Sequence, residues 1–252
     1  CFREESTDWT FATDNAAAEE SFQDIYKNAN QVAEGGDTSG FRSGCATITL
    51  AQPFGTFPNT YTLDFGTGCV GLDGRTRSGQ MIVNTSGPWR DAGTTTTITL
   101  NNYVVNGYAV SGTKVITMNA PNQAGNPSIT VDVTNGQITN PQGQTATWNA
   151  TKTFEWVAGS ATSFASHGES GVTDDVFHIT GSANGVSTGG QAYTANVTSP
   201  LVRRLDCRWI TQGVAEVTPT GGSARTIDFG DGSCDNQATL SFRRWSTTIQ
   251  LH

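Results

Sequence analysis

Charge is scarce in this chain. Only 14% of its 252 residues are Asp, Glu, Lys or Arg, against roughly 25% in an ordinary soluble domain. The bases are the scarcer half, 14 against 22 acids, for a formal charge of −8. A nucleic-acid surface or a patch for anionic headgroups needs clustered Lys and Arg, so neither is expected. Three histidines, His167, His178 and His252, leave little material for metal or acid–base chemistry. No apolar run approaches the roughly 20 residues of a membrane-spanning helix. Hydroxyls and amides fill the place of charge: Thr dominates, with Asn, Ser, Gln and 29 glycines around it. This is the composition of an extracellular β protein, long enough for one large domain or two small ones.

The five cysteines are Cys1, Cys45, Cys69, Cys207 and Cys234. Four form two pairs of similar spacing, 45/69 and 207/234, with neither a Cys-x-x-Cys nor a nearby His to make a zinc site. Disulfides Cys45–Cys69 and Cys207–Cys234 are therefore expected, and with them an oxidising compartment. The odd cysteine, Cys1, is read as the acylated residue of a bacterial lipoprotein, held in outer-membrane lipid. The polar run Phe2-Arg3-Glu4-Glu5-Ser6-Thr7-Asp8 reads as a tether, residues 1–14. Its basic residue followed by two acids is similar to the surface-export signal of Bacteroidota lipoproteins.

Residues 15–36 carry the one helical pattern, with Phe22, Ile25, Tyr26, Ala29, Val32 and Ala33 on an apolar face, Asp14 or Asn15 as cap, and Gly35-Gly36 as stop. An amphipathic helix laid on a sheet is predicted. After Gly44 the period changes to two. Ile129, Val131 and Val133 alternate with Thr130 and Asp132, and Trp148, Phe154 and Trp156 share one face of a long strand over 144–158. About a dozen antiparallel strands with one wet face follow. Asp73-Gly74, Asn106-Gly107, Asn135-Gly136, Asn184-Gly185 and Asp231-Gly232 read as turns, and the Gly/Ser-rich stretch 159–171 as a mobile loop.

A repeat divides the chain. Cys45 is followed by Thr62-Leu63-Asp64-Phe65-Gly66 and Cys69, and Cys207 by Thr226-Ile227-Asp228-Phe229-Gly230 and Cys234. The expected fold is mainly β: antiparallel sheets, as a sandwich or an open barrel, in two similar disulfide-stapled units with one N-terminal amphipathic helix. The units are 41–145 and 146–252, with one continuous β domain as the alternative.

The runs Tyr61–Gly66, Asp73–Gly79, Trp89–Gly93 and Thr226–Asn236 resemble a group of uncharacterised surface-exposed lipoproteins of Bacteroidota, of flavobacterial type, over nearly the whole chain. The resemblance implies a surface lipoprotein and carries no established activity or catalytic residue.

Three constellations are candidates for chemistry. Asp228, Asp231 and Asp235 in a glycine-rich turn have the ligand type for calcium (Ca2+), although a tight acidic turn explains the same residues and no cofactor is expected. Asp174 and Asp175 near His178 lack a partner nucleophile, so no catalytic residue is assigned and no enzyme is expected. Trp89, Arg90 and Asp91, between Gly87-Pro88 and Ala92-Gly93, supply an aromatic plate, a donor fork and an acid, and form the expected binding loop. The expected function is that of a lipid-anchored structural or interaction module of the outer membrane. Its partners would be membrane lipid through Cys1, other surface proteins, copies of itself or glycans. The alternatives are a filament or pilus subunit and a glycan-binding protein.

Overall fold

The computed structural model describes residues 9–35, 45–168 and 170–251; Cys1, the first eight residues of the tether and His252 lie outside them. Among the described residues a helix, α1 (Thr10–Gly35), precedes fourteen strands. These are β1 (Thr47–Leu50), β2 (Asn59–Asp64), β3 (Cys69–Val70), β4 (Thr76–Thr85), β5 (Thr95–Val105), β6 (Tyr108–Asn119), β7 (Ser128–Thr139), β8 (Thr145–Ala158), β9 (Val176–Val186), β10 (Ala192–Arg204), β11 (Ile210–Pro219), β12 (Arg225–Asp231), β13 (Gln237–Phe242) and β14 (Trp245–Gln250). Two short helices, α2 (Phe164–His167) and α3 (Ser170–Thr173), connect β8 to β9. All strands belong to one antiparallel meander in which each pairs with its sequence neighbour, except that β2 pairs β4 and the two-residue β3 sits beside β4. Residues 145 and 146, where two units were expected to meet, both lie in β8, whose hairpin partner is β7 through Thr139↔Thr145. The sheet runs on without interruption there.

The sheet wraps around α1. Tyr26 packs on Trp89, Phe154 and Phe177, Phe22 stacks on Trp148 at 5.1 Å, and Phe11 meets Tyr193. Arg77 of β4, Tyr103 of β5 and Lys114 of β6 reach the helix from other strands. Enclosure corrects the expectation of a helix with one apolar face: Asn15, Glu19, Glu20, Gln23, Asp24, Lys27, Asn28 and Asn30 are as buried as the hydrophobic positions. Along this helix, about 39 Å long, the described residues leave only a half-buried stripe, Thr10, Thr13, Asp14, Ala17 and Ser21.

The helix also begins five residues before the expected start at Asn15. Phe11 and Ala12 are 2% and 0% exposed, so their burial extends it. The expected caps serve tertiary bonds instead. Asp14 Oδ2 accepts from the Thr188 backbone N–H and hydroxyl at 2.7 and 2.9 Å, and Asn15 Oδ1 accepts from Trp148 Nε1 at 3.1 Å.

Rolling a sheet this tightly takes local breaks in register. Gly79 (φ +78°) lies where β4 shifts against β5, and a Cβ there would sit 2.1 Å from the Asn102 carbonyl oxygen. Gly213 (φ +112°) marks the shift between β11 and β12, with the Pro200 carbonyl 2.3 Å from a built Cβ. One of the expected turns is a feature of this kind, and another is regular strand. Asn106-Gly107 does close the β5–β6 hairpin, but Asn135-Gly136 is a bulge inside β7 and Asn184-Gly185 lies in the body of β9. The dipeptide supplies positive φ or a missing side chain, and a bulge needs these as much as a turn does. The stretch 159–171, expected as a loop, contains α2 and the start of α3, with Gly171 and Val172 buried.

The outer face carries the hydroxyls. One transverse row, Thr95–Thr117–Thr130–Thr153–Thr180, runs in register across β5 to β9. A lipid-spanning barrel turns an apolar band outward, and this face does the reverse. No helix is long and apolar enough to cross a membrane among the described residues.

Candidate functional site

The expected disulfides are present, Cys45–Cys69 and Cys207–Cys234. They use the four cysteines other than Cys1.

The expected binding loop is corrected. Trp89 is 5% exposed and packs its ring 5.9 Å from Tyr26 of the helix; it plugs the interior instead of forming a plate for a ligand. Arg90 lies over the Trp156 ring at 4.5 Å and donates to the Ser160 carbonyl at 2.8 Å. Only Asp91 faces water. Gly-Pro before a Trp reads as an exposed tip when the sheet is imagined flat. Curvature carries this tip onto the helix at Tyr26.

Each acid of the candidate calcium turn caps its own backbone. Asp228 accepts from Gly230 N–H at 3.0 Å, Asp231 from Ser233 N–H at 3.1 Å and Asp235 from Gln237 N–H at 2.9 Å. The Ser233 hydroxyl, together with its backbone N–H, holds Asp231 below the usual carboxylate range. No group of three or more His, Cys, Asp or Glu able to hold a metal occurs among the described residues. Asp174, Asp175 and His178 are not brought together as a unit: Asp174 accepts from Thr162, whereas Asp175 is buried and accepts from Trp156 Nε1 at 2.9 Å.

The densest chemistry lies inside the sheet. Seven bases (Lys27, Arg75, Arg77, Lys114, Lys152, Arg203, Arg225) and four acids (Glu19, Glu20, Asp24, Asp175) are buried among the described residues. A chain of charge −8 thus hides much of its positive charge and leaves an acidic exterior. Asp24 is the hub. Arg77 donates to it through Nε at 3.1 Å and Nη2 at 2.7 Å, Arg75 Nη1 lies 2.8 Å away, and the Tyr103 hydroxyl donates at 3.4 Å. Arg77 also grips Asp73 at 2.9 and 2.6 Å. Burial alone would raise the Asp24 carboxyl, but Arg75 and Arg77 outweigh it and hold it at about 2. Burial raises the Tyr103 hydroxyl, and the Asp24 charge adds to that.

Other charges are spent along the same helix. Lys152 pairs with Glu19 at 3.1 Å. Lys114 donates to the Phe22 carbonyl, and burial pulls its ammonium down to about 7. Glu20 accepts from Ile210 N–H at 3.2 Å and lies 3.9 Å from Arg75. Burial raises its carboxyl in spite of Arg203 and Arg75.

Expectations drawn from the sequence missed these bases, yet strand parity marks them. Lys114 stands two residues before Ile116, Lys152 between Ala150 and Phe154, and Arg203 between Leu201 and Leu205, all inward positions. A base in phase with buried neighbours on both sides is the signal of an interior ion pair.

At the β2–β4–β5 corner a groove of about 380 Å³ is lined by Gln52, Asn59, Thr60, Asn84, Ser86 and Thr97, among others. It offers amide and hydroxyl groups only at these positions. The architecture is that of a helix-filled antiparallel β wrap with a buried ion network. No protein-family model, no curated protein and no solved structure matches the chain.

Proposed function

We propose that this chain is a lipid-anchored module of the outer membrane, exposed at the cell surface, which works by contact with partners and not by turnover. The carrying observation is how its charge is used: Asp24, Arg75, Arg77, Glu19 and Lys152 are tied into buried ion pairs and Lys114 to a helix carbonyl, while the outer face is a field of threonines. Catalysis needs a convergent, accessible set of tuned groups, whereas a rigid polar surface suits recognition. The two disulfides support an oxidising compartment. They also leave Cys1 as the one cysteine without a role in them, which suits an acyl anchor.

Replacing Cys1 with Ser tests the anchor. The variant is expected to leave the membrane fraction and to melt at the wild-type temperature. A Cys1→Ser protein that stays with membranes through a salt wash overturns the lipid anchor. Labelling of the wild type on intact cells by a membrane-impermeant reagent tests surface exposure.

A second reading is a subunit of a surface filament, favoured by the sheet edges. β1 and β14 each have a strand on one side only among the described residues, and Trp245 on β14 is 74% exposed. An unpaired edge is a template for another strand, and a head-to-tail contact that does not close builds a fibre. Concentration-dependent polymers in light scattering would favour this reading over the monomeric module.

A further inference from the structure

In the groove at the β2–β4–β5 corner, side chains from three strands and one loop line a common cavity. Its floor is two rows of the sheet. Thr60, Asn84 and Thr97 stand in register across β2, β4 and β5, and the Thr60 hydroxyl donates to Asn84 Oδ1 at 2.7 Å. Ser86 and Thr95, two residues along, form the next row with their hydroxyls 3.2 Å apart. The wall is the β1–β2 loop, which contributes Ala51, Gln52 and Pro58. Asn59 pins this loop at its base. Its Oδ1 accepts from the Gln52 and Thr60 N–H groups at 3.0 and 2.8 Å, and its Nδ2 donates to the Gln52 carbonyl at 3.0 Å. A groove held by such bonds is formed before a ligand arrives, and its volume of about 380 Å³ lies at the low end of the range for small-molecule sites.

The lining selects the ligand. It contains no Asp, Glu, Lys, Arg or His, so nothing there compensates an ionic ligand for its lost water. Ala51 and the Pro58 ring are too little apolar surface for a hydrophobic ligand. A peptide strand needs free backbone N–H and C=O groups, and β4 is paired on both sides here, with β2 and with β5. What stays open is side-chain capacity. Among the described residues nothing bonds to Asn84 Nδ2, the Thr97 hydroxyl or the Gln52 side-chain amide. An amide presents donors beside an acceptor, and a hydroxyl is both. Neighbouring hydroxyls of a sugar ring offer the matching pair, and its C–H groups fit threonine methyls and the Pro58 ring. The loop adds an aromatic. The Thr56 N–H donates to the Pro53 carbonyl at 3.0 Å and closes a turn, Gly55 takes φ +83° in it, and Phe54 at its tip is 49% exposed. A ring on the loop that walls the groove supplies a face on which sugar C–H groups stack.

We propose that the Gln52–Asn84–Thr97 groove binds a neutral saccharide. The proposal rests on the reading of the outer face as a recognition surface and names a ligand class for it. The two fail separately: sugar binding by purified protein needs neither anchor nor cells, and release of Cys1→Ser from membranes needs no sugar.

The purified chain is titrated with maltotetraose, cellotetraose, mannotetraose and tetra-N-acetylchitotetraose, by calorimetry and by saturation-transfer NMR. Saturable binding of at least one of them is expected. Asn84 is exposed, so Asn84→Ala is expected to keep the wild-type melting temperature while weakening binding at least about tenfold. Asn196→Ala is the control. Asn196 is an exposed amide on β10, outside the groove, and its loss is expected to leave binding unchanged. Trigalacturonate tests the absence of charge: it is expected to bind more weakly than the best neutral sugar, and tighter binding overturns the neutral class. No saturable response to any of the four neutral sugars, or an Asn84→Ala protein that titrates like the wild type, overturns the site.

Discussion

Cys45–Cys69 and Cys207–Cys234 clip two copies of one local pattern, and the two copies differ in their surroundings. In each, a Thr-aliphatic-Asp-Phe-Gly strand end buries its Phe, with Phe65 and Phe229 both 3% exposed. In each, the Asp accepts from the backbone N–H two residues on, Asp64 from Gly66 at 2.8 Å and Asp228 from Gly230 at 3.0 Å. Beyond the turn the likeness ends. Beside the first copy, Arg77 is gripped by two carboxylates. Beside the second, Arg203 and Arg208 keep unmet donors. The turn is local and repeats with the sequence. The counter-charges on the first side come from α1 and from the loop before β4, with Asp24 and Asp73 bonded directly to Arg77, whereas on the second side Glu20, Asp24 and Asp206 act on Arg203 and leave its Nη1 without a hydrogen bond.

The largest expected effect separates the two sides. Asp24→Ala strips Arg75 and Arg77 of a buried carboxylate and is expected to cost about 3–5 kcal/mol in denaturant unfolding, the usual penalty for orphaning a buried charge. Arg203→Met takes one counter-charge from the buried Glu20 but leaves it Arg75 and the Ile210 N–H, so it is expected to cost about half as much or less. Equal losses in both would mean that the two sides are satisfied alike, and the contrast drawn above would fail.

Removing the disulfides one at a time comes next. The separations are 24 and 27 residues, so chain entropy predicts about 3.5 kcal/mol for either one. The paired Cys→Ser variants should therefore melt at nearly the same temperature. A gap beyond about 1 kcal/mol would locate the excess in native contacts around one loop.

The smallest effect is in pH, and its sign differs between the two sides. Asp24 is lowered from 3.8 to about 2 on folding. Its contribution, about 2 kcal/mol, is fully present above the unfolded value and is lost as pH falls from about 4 towards 2. Glu20 is raised above 4.5 by burial. The folded state therefore takes up its proton first, and stability gained from this group grows as pH falls towards 4.5. Urea unfolding between pH 2 and 7 should show a steep acid limb that Asp24→Asn flattens, with a shoulder at higher pH that Glu20→Gln removes. An acid limb unchanged in Asp24→Asn would place the acid sensitivity elsewhere.

Much of the architecture was legible in the sequence, for reasons visible in single segments. Ile129, Val131 and Val133 alternate with polar neighbours, and all three are buried in β7. The Cys spacing, repeated around the same pentapeptide, marked both disulfides. Less of the site was legible. Trp89 was read from its glycine and proline neighbours as a loop aromatic, and it lies in the core. The acids of the Asp228–Asp235 turn, weighed for calcium but explained by a tight acidic turn, each cap their own backbone.

What the sequence determined by itself is what depends on short range: strand parity, the helical period of α1, the cysteine pairs and the Asp-capped turns. Tertiary structure alone decided that the sheet rolls around α1. Roll is the sum of small twists and bulges over fourteen strands, and no single window of sequence contains it. Once the sheet had rolled, bonds between distant residues became decisive, such as Arg77 to Asp24 across 53 positions and Ile210 to Glu20 across 190. Those bonds convert polar helix residues, which would face water on a flat sheet, into partners for buried arginines, because an enclosed charge must find its counter-charge inside.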